Sequence, residues 1–191
     1  MTRPRILIFS LAYFPFIGGA EVAVKEITDR LTEYDFDLIT TNFDGRQKQE
    51  EKIGKVSVYR LNHKYLFPFS AYRLATKLHR QNNYQIIWAI MANQAGIAGA
   101  LFKHRFLAVP LLLTLQEGDD LDSLAYRIRL LLPRLFHVFQ RANHIQVISN
   151  YLGLWAKKMG AKCPIMVVPN GVDLSSFQLS VLNLKIEKIK L

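Results

Sequence analysis

Short apolar runs alternate with helical patterns along most of this chain, and that alternation limits the possible folds more than any other sequence feature. The first run, Arg5 to Ala12 (RILIFSLA), is nearly continuously apolar, which is typical of a strand buried on both faces. Gly18 and Gly19 then open a stretch, Ala20 to Leu31, in which apolar residues recur at helical spacing. The N-terminal region therefore predicts a strand, a glycine-containing loop and a helix.

The same alternation continues to about residue 168. Further strands are predicted at Phe36–Thr41, Val56–Leu61, Gln85–Met91, Pro110–Leu115, His144–Ser149 and Ile165–Val168, with a polar stretch, Asn42–Lys55, connecting the first two of these. Helices are predicted at Ser70–Gln81, Gln94–Phe106, Asp122–Arg141, which Pro133 should kink or divide, and Tyr151–Met159. Strands separated by helices predict an α/β fold, a Rossmann-like doubly wound parallel sheet of about seven strands with helices on both faces.

Composition excludes several classes of protein and leaves others open. Half of the 191 residues are hydrophobic, which excludes a disordered chain, and the length fits one domain with an appendage. The net charge of +10 predicts attraction to nucleic acid, an acidic membrane surface or phosphorylated small molecules. Cys163 is the sole cysteine, so no intrachain disulfide forms, and a reducing compartment is indicated. The five histidines are scattered, and no metal site is predicted.

Ligands of parallel α/β sheets bind beyond the carboxyl ends of the strands, so the loops there hold the candidate site residues. Gly18 and Gly19 would let an anion approach free backbone N–H groups at a helix start, although a tight turn explains them equally well. The loop carries neither a GxGxxG nor a GK[ST] motif, which argues against a dinucleotide cofactor and against nucleoside triphosphate hydrolysis.

Three more loops follow predicted strands. The acidic run in Gln116–Asp120 (QEGDD) could hold a metal or sugar hydroxyls, but a helix start is the favoured interpretation. Ser149 could contact a ligand or cap a helix, and capping is favoured. Val168–Asp173 contains an Asn-Gly turn, which by itself predicts only a turn.

Taken together, PFIGGAE after the first strand and VPNGVDLSSF after the last, about 150 residues apart, resemble the N-terminal domain of GT-B fold, family 4 retaining glycosyltransferases. The resemblance covers about residues 4–177. In that family the N-terminal domain binds the acceptor and the C-terminal domain binds the nucleotide sugar. The resemblance implies that the amides of Gly18 and Gly19 face the donor phosphate or the transferred sugar. The substrate-binding residues that it implies are Gly18, Gly19, Glu21, Ser149, Asn170, Gly171 and Asp173.

Two departures from the family pattern affect the expected activity. Many members carry a histidine after the fifth strand, where this chain has Gln116 beside Glu117, so the catalytic residues are not assigned. A glutamine can hydrogen-bond a hydroxyl, but it cannot exchange a proton as imidazole does. The second departure is a missing donor domain: we expect a domain at 1–177 and a tail at 178–191, without sugar transfer by this polypeptide alone. The donor would be a UDP- or GDP-linked sugar bound by the missing domain or a second subunit, and no cofactor is expected.

Basic helices suggest one more partner. Arg73, Lys77 and Arg80 fall at helical spacing, as do Arg127, Arg134 and Arg141, and Lys103, His104 and Arg105 end another helix. They would suit an anionic membrane bearing lipid-linked acceptors, although ordinary solvated faces explain them slightly better. No signal peptide or spanning helix is predicted, so the expected location is the cytoplasm, with a peripheral position on the inner face of the membrane as the alternative. The alternative function is a noncatalytic module that binds a glycan, membrane or partner protein; nucleic acid is not expected.

Overall fold

A single eight-stranded sheet organises the protein. The computed structural model describes residues 3–62, 66–117 and 137–172. The strands are β1 (Arg5–Phe9), β2 (Asp35–Thr41), β3 (Glu50–Ile53), β4 (Val56–Leu61), β5 (Ile86–Ile90), β6 (Leu111–Leu115), β7 (His144–Val147) and β8 (Ile165–Val167). The helices are α1 (Gly19–Arg30), α2 (Phe67–Asn82), α3 (Gln94–Arg105), α4 (Val138–Arg141) and α5 (Asn150–Lys158).

The strand order β3-β4-β2-β1-β5-β6-β7-β8 places β1 at the centre, with β2 on one side and β5 on the other. Every neighbouring pair is parallel except β3 with β4. The direction in which strands are added reverses at β1: β2, β3 and β4 lie on one side of it, and β5 to β8 follow one another on the other side. This is the doubly wound arrangement that the sequence predicts, and its carboxyl ends meet at one edge.

Helices cover both faces of the sheet. Ile6 and Ile8 of β1 pack in one cluster with Val24 of α1, whereas Leu7 and Phe9 pack in the other cluster with Ala75 of α2. Because neighbouring residues of a strand point to opposite faces, α1 and α2 lie on opposite sides of β1. Helices α3, α4 and α5 contribute to the same cluster as α2.

The polar connection predicted at Asn42–Lys55 is wrong in part, because Glu50–Ile53 forms the edge strand β3. It pairs antiparallel with β4, with Ile53 opposite Val56, and Gly54 takes a φ of +58° between the two strands. The charged side chains of β3 are exposed or half-buried, as is usual on an edge strand that must not aggregate. The sheet therefore has eight strands rather than about seven.

Other predicted elements agree to within a few residues where the structure describes them. Only the end of the helix predicted at Asp122–Arg141 lies in the described residues, as α4. Residues 118–136, with Pro133, and residues 173–191, with the predicted tail, lie outside them. Within the described ranges, no helix is both long and apolar enough to cross a bilayer.

Candidate functional site

Loops that follow β1, β5, β6 and β8 lie side by side at the carboxyl edge of the sheet, since these strands are neighbours or near neighbours. The loop after β1 runs to α1, whose N-cap is Gly18. Gly18 is extended (φ −136°, ψ 179°), and no side chain caps the helix. The first N–H groups of a helix have no intrahelical partner, so the start of α1 presents backbone donors at this edge.

The two glycines differ in the space around them. A Cβ at Gly18 would lie 2.5 Å from a carboxylate oxygen of Glu21, whereas a Cβ at Gly19 would meet nothing within 4 Å. Glu21 therefore reaches back over the start of its own helix, where the helix dipole favours a carboxylate. The open side at Gly19 is where a ligand could approach the backbone of α1.

Two hydroxyl groups, one on β2 and one in the loop itself, hold the loop between β1 and α1. The hydroxyl of Thr40 on β2 donates to the Leu11 carbonyl (3.2 Å), and the Ser10 hydroxyl donates to the Ala12 carbonyl (2.7 Å). The peptide bond between Phe14 and Pro15 is cis. These contacts fix the path of the chain from the buried strand to the glycine pair.

Arg60 is the strongest of these anchors, and sequence reasoning missed it. Its side chain is 1% exposed and donates to the carbonyls of Phe14 (2.8 Å) and Lys48 (2.9 Å), while pairing with Glu51 (2.5 Å). One guanidinium thus joins the loop between β1 and α1, called the glycine loop below, to β3 and to the residues that precede β3. A signal did exist in the sequence: Arg60 shares the buried face of β4 with Val56 and Val58, at the alternating spacing of a strand.

Gln116 and Asn170 meet across the edge, although they are far apart in sequence. The Asn170 side-chain amide donates to Oε1 of Gln116 at 3.1 Å. Beside them, Oε1 of Glu117 accepts the backbone N–H of Ala92, in the loop after β5. The contact brings Asn170, which the family resemblance implies as a binding residue, to Gln116, which stands where many family members have a histidine.

The loop after β5 adds two features that the sequence patterns did not reveal. Met91 takes a left-handed φ of +68°, and the Asn93 side chain caps α3 by accepting the N–H of Ala95 (2.8 Å). The side-chain oxygen of Gln94, at the start of α3, is buried and has no hydrogen-bond partner among the described residues. The start of α3 therefore contains a buried acceptor whose hydrogen-bonding capacity is unused within the described residues.

The remaining predicted residues have different outcomes. The Ser149 hydroxyl accepts the N–H of Leu152 (3.3 Å), so it is the N-cap of α5, as favoured from the sequence. A Cβ at Gly171 would meet nothing within 4 Å, so its surroundings are open. Asp173 and the acidic residues Asp119 and Asp120 lie outside the described residues. Searched over the described ranges, the structure brings together no three His, Cys, Asp or Glu side chains that could hold a metal ion.

Tyr13, in the loop between β1 and α1, has a pKa that its surroundings shift strongly. It is 1% exposed, and burial, with a smaller contribution from the negative charge of Asp29, raises its pKa to about 12. The phenol is therefore neutral at physiological pH. It packs edge-on against Phe14 with ring centroids 5.4 Å apart, so it is part of the loop's support.

Comparison with solved structures first gives the class of protein. The chain matches sucrose-phosphate synthase from Thermosynechococcus elongatus with a TM-score of 0.60 and 15% identity, covering 91% of this chain and 92% of that one. It also matches the Escherichia coli trehalose-6-phosphate structure bound with UDP-2-fluoro glucose, again with a TM-score of 0.60, at 13% identity and covering 90% and 50% of the two chains. The fold is thus that of GT-B glycosyltransferases.

The family follows from the sequence comparison. Residues 17–176 match the model of glycosyltransferase family 4, and the chain belongs to that family. An uncharacterised glycosyltransferase of Methanocaldococcus jannaschii is 28% identical over 114 residues, which are 57% of this chain and 31% of the relative. The matched stretch thus spans less than a third of that relative. These findings confirm the resemblance drawn from PFIGGAE and VPNGVDLSSF.

Proposed function

We propose that this chain is the acceptor-side domain of a retaining glycosyltransferase, which transfers a sugar from a UDP- or GDP-linked donor to a glycan or lipid-linked acceptor. The observation that carries the proposal is the contact between Asn170 and Gln116 at the carboxyl edge of the sheet. It joins the last described segment of the chain to the loop in which family members place a residue near the transferred sugar. The glycine pair opens at the same edge.

The polar groups at this edge suit sugar hydroxyls. Gln116 uses its oxygen to accept from Asn170, so its side-chain N–H groups are the part that can donate to a hydroxyl. Glu117 is an acceptor when ionised, and one of its oxygens is held by the Ala92 N–H. The Gln116 amide cannot replace the proton exchange of a histidine, so its proposed role is to orient the sugar rather than to act as a general acid or base.

A second domain is part of the proposal. The edge is open at Gly19 and Gly171, since a Cβ at either position would meet no atom within 4 Å. An activated sugar bound at an open edge would be exposed to water, and closing a site is how enzymes exclude it. We therefore propose that a donor-binding domain, covalently joined or supplied as a subunit, completes the site over these glycines.

The first experiment measures sugar transfer and acceptor binding separately. The 191-residue chain is incubated with radiolabelled UDP-glucose or GDP-mannose and a panel of oligosaccharides, and labelled product is counted. We expect no transfer. Binding of the same oligosaccharides is followed by saturation-transfer difference NMR, where we expect signals from bound glycans.

Two variants and one control locate the binding. Gln116→Ala and Asn170→Ala should each weaken glycan binding about tenfold, which corresponds to one lost hydrogen bond of about 1.4 kcal/mol. Gln85→Ala removes the same amide from an exposed position that precedes β5, at the opposite edge of the sheet, and should leave binding unchanged. Equal binding by all three variants would contradict this site. Transfer by the wild-type chain alone would contradict the need for a second domain. If the chain binds glycans but transfers no sugar after a family 4 donor-binding domain has been fused to it, a noncatalytic module is favoured.

A further inference from the structure

A long stretch of this chain contains no acidic residue. Between Glu51 and Glu117, residues 52–116 include neither Asp nor Glu, whereas nine of the 15 acidic residues lie between positions 21 and 51. The acid-free stretch forms β4, α2, β5, α3 and β6, and the acidic stretch forms α1, β2 and β3. Charge is therefore segregated along the chain before any tertiary contact is considered.

The fold places the helices of the two stretches on opposite sides of the sheet. Helix α1, in which Asp29 and Glu26 pair with Lys25 and Arg30, lies on the opposite side from α2. Helix α2 buries Ala71, Ala75 and Leu78 against the sheet. The row of exposed side chains on its outer side is Phe69, Arg73, Lys77 and Arg80.

The three cations of this row are available to a partner. Their spacing of four and three residues places them on one side of the helix over about 10 Å. None of the acidic residues in the described ranges forms an ion pair with Arg73, Lys77 or Arg80. The charge of the row is therefore not neutralised within the described part of the domain.

The basic end of α3 is different, although the sequence suggested it equally. The Lys103 ammonium donates to the carbonyls of Leu107 (2.6 Å) and Val109 (3.0 Å), where the chain turns towards β6. Arg105 lies over the Phe106 ring at 5.7 Å. These contacts give Lys103 and Arg105 roles within the fold, so α2 is the stronger candidate for an external partner.

We propose that α2 is a docking surface for an anionic lipid bilayer, with Arg73, Lys77 and Arg80 over the headgroups. Two large apolar side chains lie where α2 begins, ahead of the three cations: Leu66 is 58% exposed and Phe69 is 50% exposed. A cationic helix face with apolar residues at one end fits a surface that is anionic outside and apolar beneath. Helix α1, on the other side of the sheet, then points away from the membrane. Helix α2 begins at the carboxyl edge, so this orientation holds the edge near the bilayer.

Vesicle binding by the full 191-residue chain tests the proposal without any donor or acceptor. Sedimentation is measured with phosphatidylcholine vesicles and with vesicles enriched in phosphatidylglycerol. We expect binding only to the anionic vesicles, and loss of binding as salt is raised. Each cation near an anionic surface strengthens binding about fivefold, so the triple variant Arg73→Gln, Lys77→Gln, Arg80→Gln should bind on the order of a hundredfold more weakly.

A matched variant separates this helix from net charge. Lys48→Gln, Lys157→Gln and Lys162→Gln remove three cations that are exposed on other parts of the surface, and should weaken binding only a few-fold. Leu66→Trp provides a reporter whose fluorescence should shift to the blue on anionic vesicles.

Equal binding to neutral and anionic vesicles would overturn the proposal, as would equal losses of binding in the two triple variants. A third result against it would be release of the protein from the vesicles by single-stranded RNA at a lower concentration than that of added phosphatidylglycerol vesicles needed for the same release. The proposal of sugar transfer stands or fails separately, because this assay contains no sugar.

Discussion

Arg60 connects the glycine loop to the sheet, and replacing it with methionine measures that connection. Arg60→Met retains an unbranched apolar stem in the buried position and removes all guanidinium donors. The carbonyls of Phe14 and Lys48 each lose a charged donor, at about 1.5 kcal/mol apiece. Glu51 is 30% exposed and regains water, so loss of its ion pair adds little. We therefore expect a loss of about 3 kcal/mol in the free energy of unfolding.

Urea unfolding followed by circular dichroism checks this value. With a slope of about 2 kcal/mol per molar urea, 3 kcal/mol lowers the midpoint by about 1.5 M. Arg46→Met removes the same charge from an exposed position in the loop before β3, and should change stability by less than about 0.5 kcal/mol. Hydrogen exchange at the Phe16 amide, which donates to the Tyr13 carbonyl within the loop, should accelerate only in Arg60→Met. A loss below about 1 kcal/mol, or unchanged exchange, would refute the anchoring role.

Three further variants probe other parts of the fold. Gly96→Ala places a Cβ 2.7 Å from a backbone oxygen and should lower the free energy of unfolding in urea by about 2 kcal/mol. Gly19→Ala, with open space around it, should change that value little, and equal losses in the two variants would contradict the close packing at Gly96. The pKa of Tyr13 is raised to about 12, so the unfolded state loses this proton first, and the free energy of unfolding is constant below about pH 10 and falls between pH 10 and 12. Urea unfolding measured at several pH values in that window should show a fall that is smaller by about 2–3 kcal/mol in Tyr13→Phe than in the wild type, and the same fall in both proteins would contradict this. Thr114→Val removes the acceptor of the buried Trp88 indole N–H and should cost about 1–3 kcal/mol with a change in tryptophan fluorescence, while an unchanged spectrum and midpoint would count against this hydrogen bond.

The strands buried on both faces were predictable, because burial on both faces requires continuous apolar residues. Arg5–Ala12 and Pro110–Leu115 predicted β1 and β6 to within a few residues. Strand β3 escaped prediction because its one-sided, charged sequence resembles a loop, and only its pairing with β4 makes it a strand. Edge strands of this kind depend on tertiary context more than on local pattern.

The sequence predicted which loops form the candidate site, but not which side chains contact each other there. The rule that ligands bind at the carboxyl edge pointed to the loops that contain Gly18, Gly19, Gln116 and Asn170. It could not show that Asn170 donates to Gln116, because that contact depends on the register of β6, β7 and β8. Ser149 was interpreted correctly as a cap, since N-capping requires only local geometry.

The position of Asn170 depends on the rest of the sheet as well as on β8 itself. A row of hydrogen bonds crosses the strands: the Trp88 indole donates to the Thr114 hydroxyl (2.8 Å), which donates to Oε1 of Gln146 (2.8 Å). Gln146 in turn donates to the Val168 carbonyl (2.9 Å), two residues before Asn170. Strand β8 has only three residues, and the Val168 N–H, which donates to the Val147 carbonyl (2.8 Å), extends its pairing with β7 by one residue. The row is buried at Trp88 and Thr114 and reaches the exposed Val168 carbonyl through Gln146, so it ties the segment that leaves the sheet to the core and helps to keep Asn170 within reach of Gln116.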